Sequence, residues 1–246
     1  MISGLRWLAL EVEFLDPAVA FYREHLGLPT AREDDRAVAF HAGDSELVLR
    51  RPSAAPRGGL HTHYALSTPA DQYGAWYDRL STAFDLDEHT FGTSKSLYFY
   101  DTERNCVEIG QSGGSADGSH GSSRATGAAD PEITGIFEVV LEVEALDRAE
   151  AFYTALGFEV VDRGESRRRT RLTAGPFDLE LWEPQRGLAE ARGGVHVDLG
   201  LAVADPSETV ARVESSALAI EPDVAGGAAT RVRDPDGHWL TFEPSI

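Results

Sequence analysis

The segment LRWLALEVEFLDPAVAFYREHLGLPT, residues 5–30, decides the fold, because a later stretch of the chain repeats its pattern. Residues 135–161 read GIFEVVLEVEALDRAEAFYTALGFEVV. In both stretches an alternating strand leads into a short helix that carries a Phe-Tyr pair and ends at Leu-Gly. Gly27 and Gly157 fit helix C-termini, where a left-handed residue closes the last turn. The two halves of the chain are therefore predicted to be copies of one structure.

Each half continues with the same order of elements. The first half has hairpin strands at 36–41 and 46–50, a strand at 60–67, a helix at 70–81 and a final hairpin at 97–100 and 106–109. The second half repeats this order at 169–173 and 177–182, 195–203, 206–215, and 230–233 and 240–242. The pattern predicts an α+β protein made of four strand-helix-strands units.

The segment GQSGGSADGSHGSSRATGAAD, residues 110–130, separates the halves. It is rich in Gly and Ser and has no apolar periodicity, which is typical of a flexible linker. We predict one domain over residues 1–111, a linker over 112–131 and a second domain over 132–246. The chain length of 246 residues also suggests two domains.

Composition narrows the class of protein. The formal net charge is −19, so neither nucleic acid nor an anionic membrane is an expected partner. Cys106 is the single cysteine, which excludes an intrachain disulfide framework and a multi-cysteine zinc site. Residues 1–12 lack the features of a secretory signal and no apolar run is long enough for a membrane span, so a cytoplasmic location is expected.

The basic residues are almost all arginine, because Lys95 is the only lysine. An acidic surface with arginine in place of lysine suits a halophile-like protein that must stay dissolved at high salt. A salt-adapted or high-GC source is one hypothesis. Ordinary acidic solubility is the alternative.

The duplicated pattern, with closing segments DTERNCVEI (101–109) and DPDGHWLTF (234–242), resembles the vicinal oxygen chelate superfamily of glyoxalases, bleomycin-resistance proteins and extradiol dioxygenases. The resemblance implies four βαβββ units that form two domains with cup-shaped sheets. In metal-dependent members, the cup holds a divalent ion that chelates two neighbouring oxygens of the substrate.

A narrower similarity points to two-domain catechol 2,3-dioxygenases, of which this chain looks like a degenerate member. It is carried by residues 59–80, GLHTHYALSTPADQYGAWYDRL, and 96–110, SLYFYDTERNCVEIG. Those enzymes hold ferrous iron with two histidines and one glutamate, which leaves positions open for substrate and dioxygen.

The resemblance assigns ligand positions that are only partly filled by ligand residues. In the first half these positions are Trp7, His63 and Glu108, and tryptophan offers no lone pair to a metal. In the second half they are Glu138, Asp198 and Thr241, with Glu243 two residues further on.

Alternation of side chains along a strand adds neighbours on the same face. The first half could form a site from His61, His63, Glu108 and Glu11, and the second half a weaker site from Glu138, Glu142, His196, Asp198 and Glu243. These donors suit iron, manganese or zinc. The alternative is a polar cup that binds no metal.

Two functions follow as hypotheses. The first is a metal-dependent dioxygenase or lyase that acts on a small substrate with vicinal oxygens, in a cup lined by Trp7, Tyr98, Tyr100 and Cys106. The second is a non-catalytic protein that sequesters an antibiotic or aromatic molecule, which Trp7 in a ligand position favours. One half could also be catalytic and the other only structural. Open sheet edges allow a homodimer, and His238 in the closing turn is expected to be exposed to solvent.

Overall fold

The computed structural model describes residues 1–52, 62–112, 130–166, 168–183, 197–224 and 229–245. The predicted linker falls almost wholly on residues 113–129, outside the described ranges, so the domain boundaries of 1–111 and 132–246 stay a prediction. His61 and His196 also lie outside the described residues.

The four predicted units are present in chain order. Unit 1 consists of β1 (Ile2–Glu11), α1 (Leu15–Phe21) with a π-helical turn (Tyr22–Leu26), β2 (Thr30–Glu33), β3 (Ala37–Ala42) and β4 (Ser45–Arg50). Unit 2 consists of β5 (Thr62–Pro69), α2 (Tyr73–Leu80), β6 (Asp87–Phe91), β7 (Ser94–Tyr100) and β8 (Cys106–Ser112). The helix predicted at 70–81 is thus shorter at its start.

The second half repeats this order. Unit 3 consists of β9 (Gly135–Glu142), α3 (Leu146–Leu156), β10 (Glu159–Arg163), β11 (Arg169–Ala174) and β12 (Phe177–Trp182). Unit 4 consists of β13 (Val197–Val203), α4 (Pro206–Ala211), β14 (Ala219–Val224), β15 (Ala229–Arg233) and β16 (Trp239–Pro244). Gly27 and Gly157 close the helices of units 1 and 3 with φ of 63° and 107°, as predicted. The α+β fold with four units is therefore confirmed.

The strands form two eight-stranded sheets, and each sheet joins one unit from each half. Sheet A has the order β14-β15-β16-β13-β1-β4-β3-β2, so it combines units 1 and 4. Sheet B has the order β10-β11-β12-β9-β5-β8-β7-β6, so it combines units 2 and 3. Antiparallel pairing of β1 with β13 and of β5 with β9 makes the two junctions. The two halves of one chain therefore pair with each other.

The helices of units 1 and 3 pack between the two sheets. Tyr22, from the π-helical turn after α1, lies 6.1 Å from the ring of Phe40 in sheet A and hydrogen-bonds the hydroxyl of Tyr64 in sheet B. Apolar side chains from all four units join one buried core. On β1, Leu8 and Leu10 belong to that core, so Trp7 points to the opposite face. The outer faces of sheets A and B form two open hollows, cup A and cup B.

Among the described residues, no helix combines the length and the apolar character that a membrane crossing requires.

Candidate metal centre

Strand register defines three positions per unit that face the cup. In unit 2, His63 holds the position on the first strand, β5, and its parallel partner on the fourth strand, β8, is Cys106. Glu108, two residues after Cys106, holds the fourth-strand position. Tyr98 pairs with Glu108 across β7 and β8 and supplies the third-strand position. The same register gives, for units 1, 3 and 4 in turn, Trp7, Ala39 and Val48; Glu138, Arg171 and Glu180; and Asp198, Arg231 and Thr241.

Cup B brings together three ligand-type side chains from two units. The Nε2 atom of His63 lies 3.0 Å from a carboxylate oxygen of Glu108. Glu138, from the other half of the chain, completes a cluster whose ligand atoms all lie within 4.8 Å of one another, and all three residues are buried. One imidazole and two carboxylates at this spacing can hold a divalent cation.

The electrostatics of cup B point the same way. Burial and the neighbouring charge of Glu180 raise the pKa of Glu138 to about 8, against the opposing effect of Arg171. Burial also works to raise the pKa of Glu108, but hydrogen bonds and the charge of His63 outweigh it and lower that pKa. The cluster therefore holds more carboxylate groups than its basic neighbours neutralise, and one of these groups tends to stay protonated. A bound cation would relieve the repulsion between the carboxylates. The residues present therefore fit a metal ion.

Glu180 is a residue of cup B that the sequence patterns did not predict. It occupies the fourth-strand position of unit 3, as Glu108 does in unit 2. Its carboxylate accepts hydrogen bonds from Arg169 at 2.9 Å and from the Trp182 indole at 2.6 Å. Glu180 lies two residues after Asp178, the parallel partner of Glu138. This relationship identifies Glu180 only once the pairing of β9 with β12 is known.

Aromatic and basic side chains surround the cluster in a cavity of about 590 Å³. The ring centroids of Tyr98 and Trp182 lie 5.7 Å and 6.2 Å from that of His63. Arg171 bridges Glu138 at 2.8 Å and Asp178 at 2.7 Å. The remaining lining side chains include His89, Phe91, Tyr100, Cys106 and Phe137. Burial and the charge of Glu108 raise the pKa of Cys106 to about 12, so this thiol stays protonated.

The equivalent positions of cup A hold a different set of side chains. The ring of Trp7 covers Gly200 on β13 so closely that a Cβ atom there would lie 2.2 Å from it. Trp7 also packs against a small apolar group that includes Val48. Asp198 is the only carboxylate among the four first- and fourth-strand positions of cup A. It accepts hydrogen bonds from Arg50 at 3.2 Å and from Thr241 at 3.0 Å, and pairs with Arg231 at 2.9 Å.

The sites predicted within each half are regrouped by the sheet topology. Glu11 does not join His63 and Glu108, because β1 belongs to sheet A; it pairs instead with Arg50 at 3.8 Å. Glu138 and Asp198, predicted to share one cup, lie in sheets B and A respectively. Glu243 contacts Arg6 at 3.5 Å on sheet A. Of the predicted lining residues, Tyr98, Tyr100 and Cys106 line cup B, whereas Trp7 lies in cup A. Glu142 is buried on β9.

The expectation that His238 is exposed was wrong, because only 1% of it is accessible to solvent. Its Nδ1 atom lies 2.9 Å from Asp234, which also accepts a hydrogen bond from the Tyr153 hydroxyl of α3 at 2.8 Å. Asp101 has the same role in unit 2, where it accepts hydrogen bonds from Tyr22 and Asn105. The closing turns are thus buried anchors for the helices.

The fold and cup B define a class of protein: a duplicated chain of βαβββ units in which one sheet carries a cluster of side chains that could hold a metal ion. The chain belongs to the Glyoxalase/Bleomycin resistance protein/Dioxygenase superfamily, whose family model matches residues 4–109 and 135–242. The predicted membership of this superfamily is therefore confirmed. No curated protein matches the sequence.

Solved structures share the fold at low sequence identity. A "putative dioxygenase" from Bacillus subtilis subsp. subtilis str. 168 is 16% identical, with a TM-score of 0.73 over 99% of this chain and 85% of its own. Glyoxalase I from Zea mays is 17% identical, with a TM-score of 0.67 over 98% of this chain and 92% of its own. The cppA protein from Streptococcus pneumoniae TIGR4 is 13% identical, with a TM-score of 0.58 over 99% of this chain and 100% of its own.

Proposed function

We propose that the protein is a divalent-metal-dependent enzyme that acts, in cup B, on a small substrate with two neighbouring oxygen atoms. The observation that carries the proposal is the buried cluster of His63, Glu108 and Glu138, contributed by both halves of the chain. Superfamily membership supports a reaction of the glyoxalase or dioxygenase type. When bound, the metal would act as a Lewis acid and as a template for the paired oxygens.

The donor set bears on the kind of reaction. The dioxygenase resemblance implied two histidines and one glutamate, but the cluster has one imidazole and two carboxylates. A carboxylate-rich set of ligands favours harder ions such as manganese, whereas non-haem iron oxygenases typically use two histidines and one carboxylate. We therefore favour Lewis-acid chemistry, such as a lyase or isomerase step, over dioxygen activation.

The chain's own residues divide the remaining tasks. His63 and Glu108 hold each other in place through their 3.0 Å contact. Glu180 lies outside the three-residue cluster, fixed by Arg169 and Trp182, and is the carboxylate that can take a proton from a bound substrate. Tyr98 and Trp182 give the cavity flat apolar walls against which a small organic molecule can pack.

Metal content tests the proposal. Elemental analysis of the purified protein should find about one divalent ion per chain, because cup A lacks an equivalent cluster among the described residues. His63→Ala and Glu138→Gln should each lose most of that metal. Glu243→Gln is the matched control, since it removes a carboxylate from sheet A and should retain the metal. Retention of metal in both cup B variants would overturn the proposal.

Turnover is the second measurement. A catechol with oxygen-uptake detection and a 2-hydroxyketone with detection of isomerisation would separate the two reaction types. Loss of turnover in Glu180→Gln with normal metal content would agree with a proton-transfer role. Turnover that depends on oxygen uptake would reverse the preference for Lewis-acid chemistry.

A second candidate function is non-catalytic ligand binding in the same cup. It is favoured by the ion pairs Arg171–Glu138 and Arg169–Glu180, which already neutralise part of the carboxylate charge. A protein that stays metal-free after incubation with manganese, iron or zinc, yet binds aromatic molecules in cup B, would support this alternative.

A further inference from the structure

An arginine-lined pocket lies on sheet A, on the face opposite to the core. It has a volume of about 240 Å³ and is lined by Glu11, Arg36, Ala37, Arg50, Arg51 and Arg231. We propose that this arginine pocket binds a small dianion, either a phosphate group or a dicarboxylate. The proposal is independent of the metal site, which belongs to sheet B.

Two of the guanidinium groups are held in position before any ligand arrives. Asp198, which is almost fully buried, pairs with Arg50 at 3.2 Å and with Arg231 at 2.9 Å. Arg231 also stacks on the ring of Trp239, 4.1 Å from its centroid. Planar guanidinium forks fixed in this way lose little further entropy when they bind an oxyanion through two hydrogen bonds.

The pocket contains donors that its neighbours leave unused. The Nε atom of Arg231 is buried and has no hydrogen-bond partner among the described residues. Arg36 is exposed and forms no salt bridge within the described ranges. Arg51 donates its Nε–H to the Asp35 carbonyl at 3.0 Å, and its Nη2 atom lies 3.4 Å from the exposed carboxylate of Asp16, so part of its guanidinium group remains available to a ligand. A buried donor without an acceptor is costly, so a ligand that supplies acceptor oxygens would be stabilised here.

Charge makes the pocket exceptional in this molecule. The chain carries a net charge of −19, so most of its surface repels anions. Four arginines line this pocket with the carboxylate of Glu11, which lies 3.8 Å from Arg50. Asp198 and Glu221 neutralise part of this charge from beside the pocket, so Arg36 and Arg51 supply most of the remainder. A compact dianion with several oxygens matches this concentration of positive charge and hydrogen-bond donors. The pocket includes Glu11, four residues after Trp7 on β1, so cup A would retain ligand recognition although it lacks a metal cluster among the described residues.

Isothermal titration of the full chain tests the proposal. The protein is dialysed against a chelator, and inorganic phosphate and succinate are titrated in separate runs at low ionic strength. Wild type should bind at least one of them with a stoichiometry near one. Arg36→Gln and Arg51→Gln should each weaken that binding about tenfold, because each substitution removes a positive charge and its hydrogen bonds to the dianion.

Arg163→Gln is the matched control, because it removes the same charge from an exposed position on sheet B. It should bind the dianion as wild type does. His63→Ala should also bind normally, which distinguishes the arginine pocket from the proposed metal site. Absence of binding by wild type to both probes, or an equal loss in Arg163→Gln, would overturn the proposal. Circular dichroism checks that each variant is folded.

Discussion

The indole ring of Trp7 lies directly over Gly200 on the neighbouring strand, where a Cβ atom would come within 2.2 Å of the ring. Trp7 and Gly200 are partners in the antiparallel pairing of β1 with β13. The corresponding pair at the centre of cup B is His63 and Val140. The same position in the duplicated fold thus carries a candidate metal ligand in one sheet and a packed aromatic ring in the other.

This relationship predicts that Gly200→Ala destabilises the protein. The added methyl group must displace the Trp7 ring, and overpacking of this kind costs about 1–3 kcal/mol of unfolding free energy. The cost should largely disappear in a Trp7→Ala background, since the obstructing ring is then absent. Urea denaturation of the four proteins in this double-mutant cycle measures both effects.

Gly74→Ala provides the control for the glycine change. Gly74 lies in α2, and a Cβ atom there meets nothing within 4 Å. Alanine at that position should raise stability by up to about 1 kcal/mol. Equal effects of the two substitutions would show that Trp7 does not constrain Gly200.

The raised pKa of Glu138 predicts that manganese binds more tightly as the pH rises. A carboxylate ligand must be deprotonated, and the pKa of Glu138 is about 8 in the metal-free protein. Affinity should therefore increase up to about tenfold per pH unit between pH 6.5 and 8 and level off above pH 8. Calorimetric titration of manganese across that range measures it.

Removal of the neighbouring charge gives the control. Glu180 raises the pKa of Glu138, so Glu180→Gln should move the plateau in affinity to lower pH. In the metal-free wild type, the raised pKa of Glu138 should also affect stability. The free energy of unfolding should fall as the pH rises from about 4.5 to 8, because the folded state keeps a proton that the unfolded chain releases. An affinity that does not change with pH would contradict this account.

His238→Asn should change how stability depends on pH. The pKa of Asp234 is lowered, against its burial, by the charge of His238, so its contribution is present above the ordinary aspartate pKa of about 3.9 and is lost as the pH falls. Burial lowers the pKa of His238, but Asp234 outweighs this and raises it, so its contribution is present below about pH 6.5 and is lost as the pH rises through the folded value.

Asparagine keeps the hydrogen bond but does not titrate, as Asn105 shows in its 3.0 Å contact with Asp101 in the equivalent turn. The stability advantage of wild type over His238→Asn should therefore shrink as the pH rises above about 6.5. Thermal or urea unfolding at a series of pH values measures the difference. A stability difference that stays constant from pH 6 to 9 would mean that the protonated form of His238 does not stabilise the folded protein.

Arg104→Gly should stabilise the closing turn of unit 2. Arg104 is the one described non-glycine residue with positive φ, at 70°, and Gly237 holds the equivalent place in unit 4 with φ of 103°. A left-handed conformation costs about 1–2 kcal/mol for a residue with a Cβ atom, partly offset by the flexibility of glycine in the unfolded chain.

Arg104→Ala is the matched control, because it removes the contact with the Tyr100 ring but keeps the Cβ atom. Glycine should exceed alanine by about 1 kcal/mol in unfolding free energy, and Gly237→Ala should cost a similar amount. Equal stability of the glycine and alanine variants would show that the turn is not strained.

Much of the fold could be read from local patterns. The repeated strand, the Phe-Tyr helix and the Leu-Gly ending predicted four similar units, because each feature depends on residues close together in the chain. Strand alternation also predicted that His63 shares a face with His61, and that Glu108 shares a face with Cys106. The buried state of His238 could not be read in this way, because it depends on contacts with Asp234 and with Tyr153 from α3.

The amino-acid sequence by itself determined the duplicated α+β architecture and the residue types available to a metal site. Only the tertiary structure decided which of those residues meet. The pairing of β5 with β9 brings Glu138 to His63 and Glu108, and the pairing of β1 with β13 places Trp7 over Gly200. Pairing between strands from opposite halves depends on which apolar faces pack in the shared core, and a period-two pattern specifies the face of a residue but not the partner of its strand.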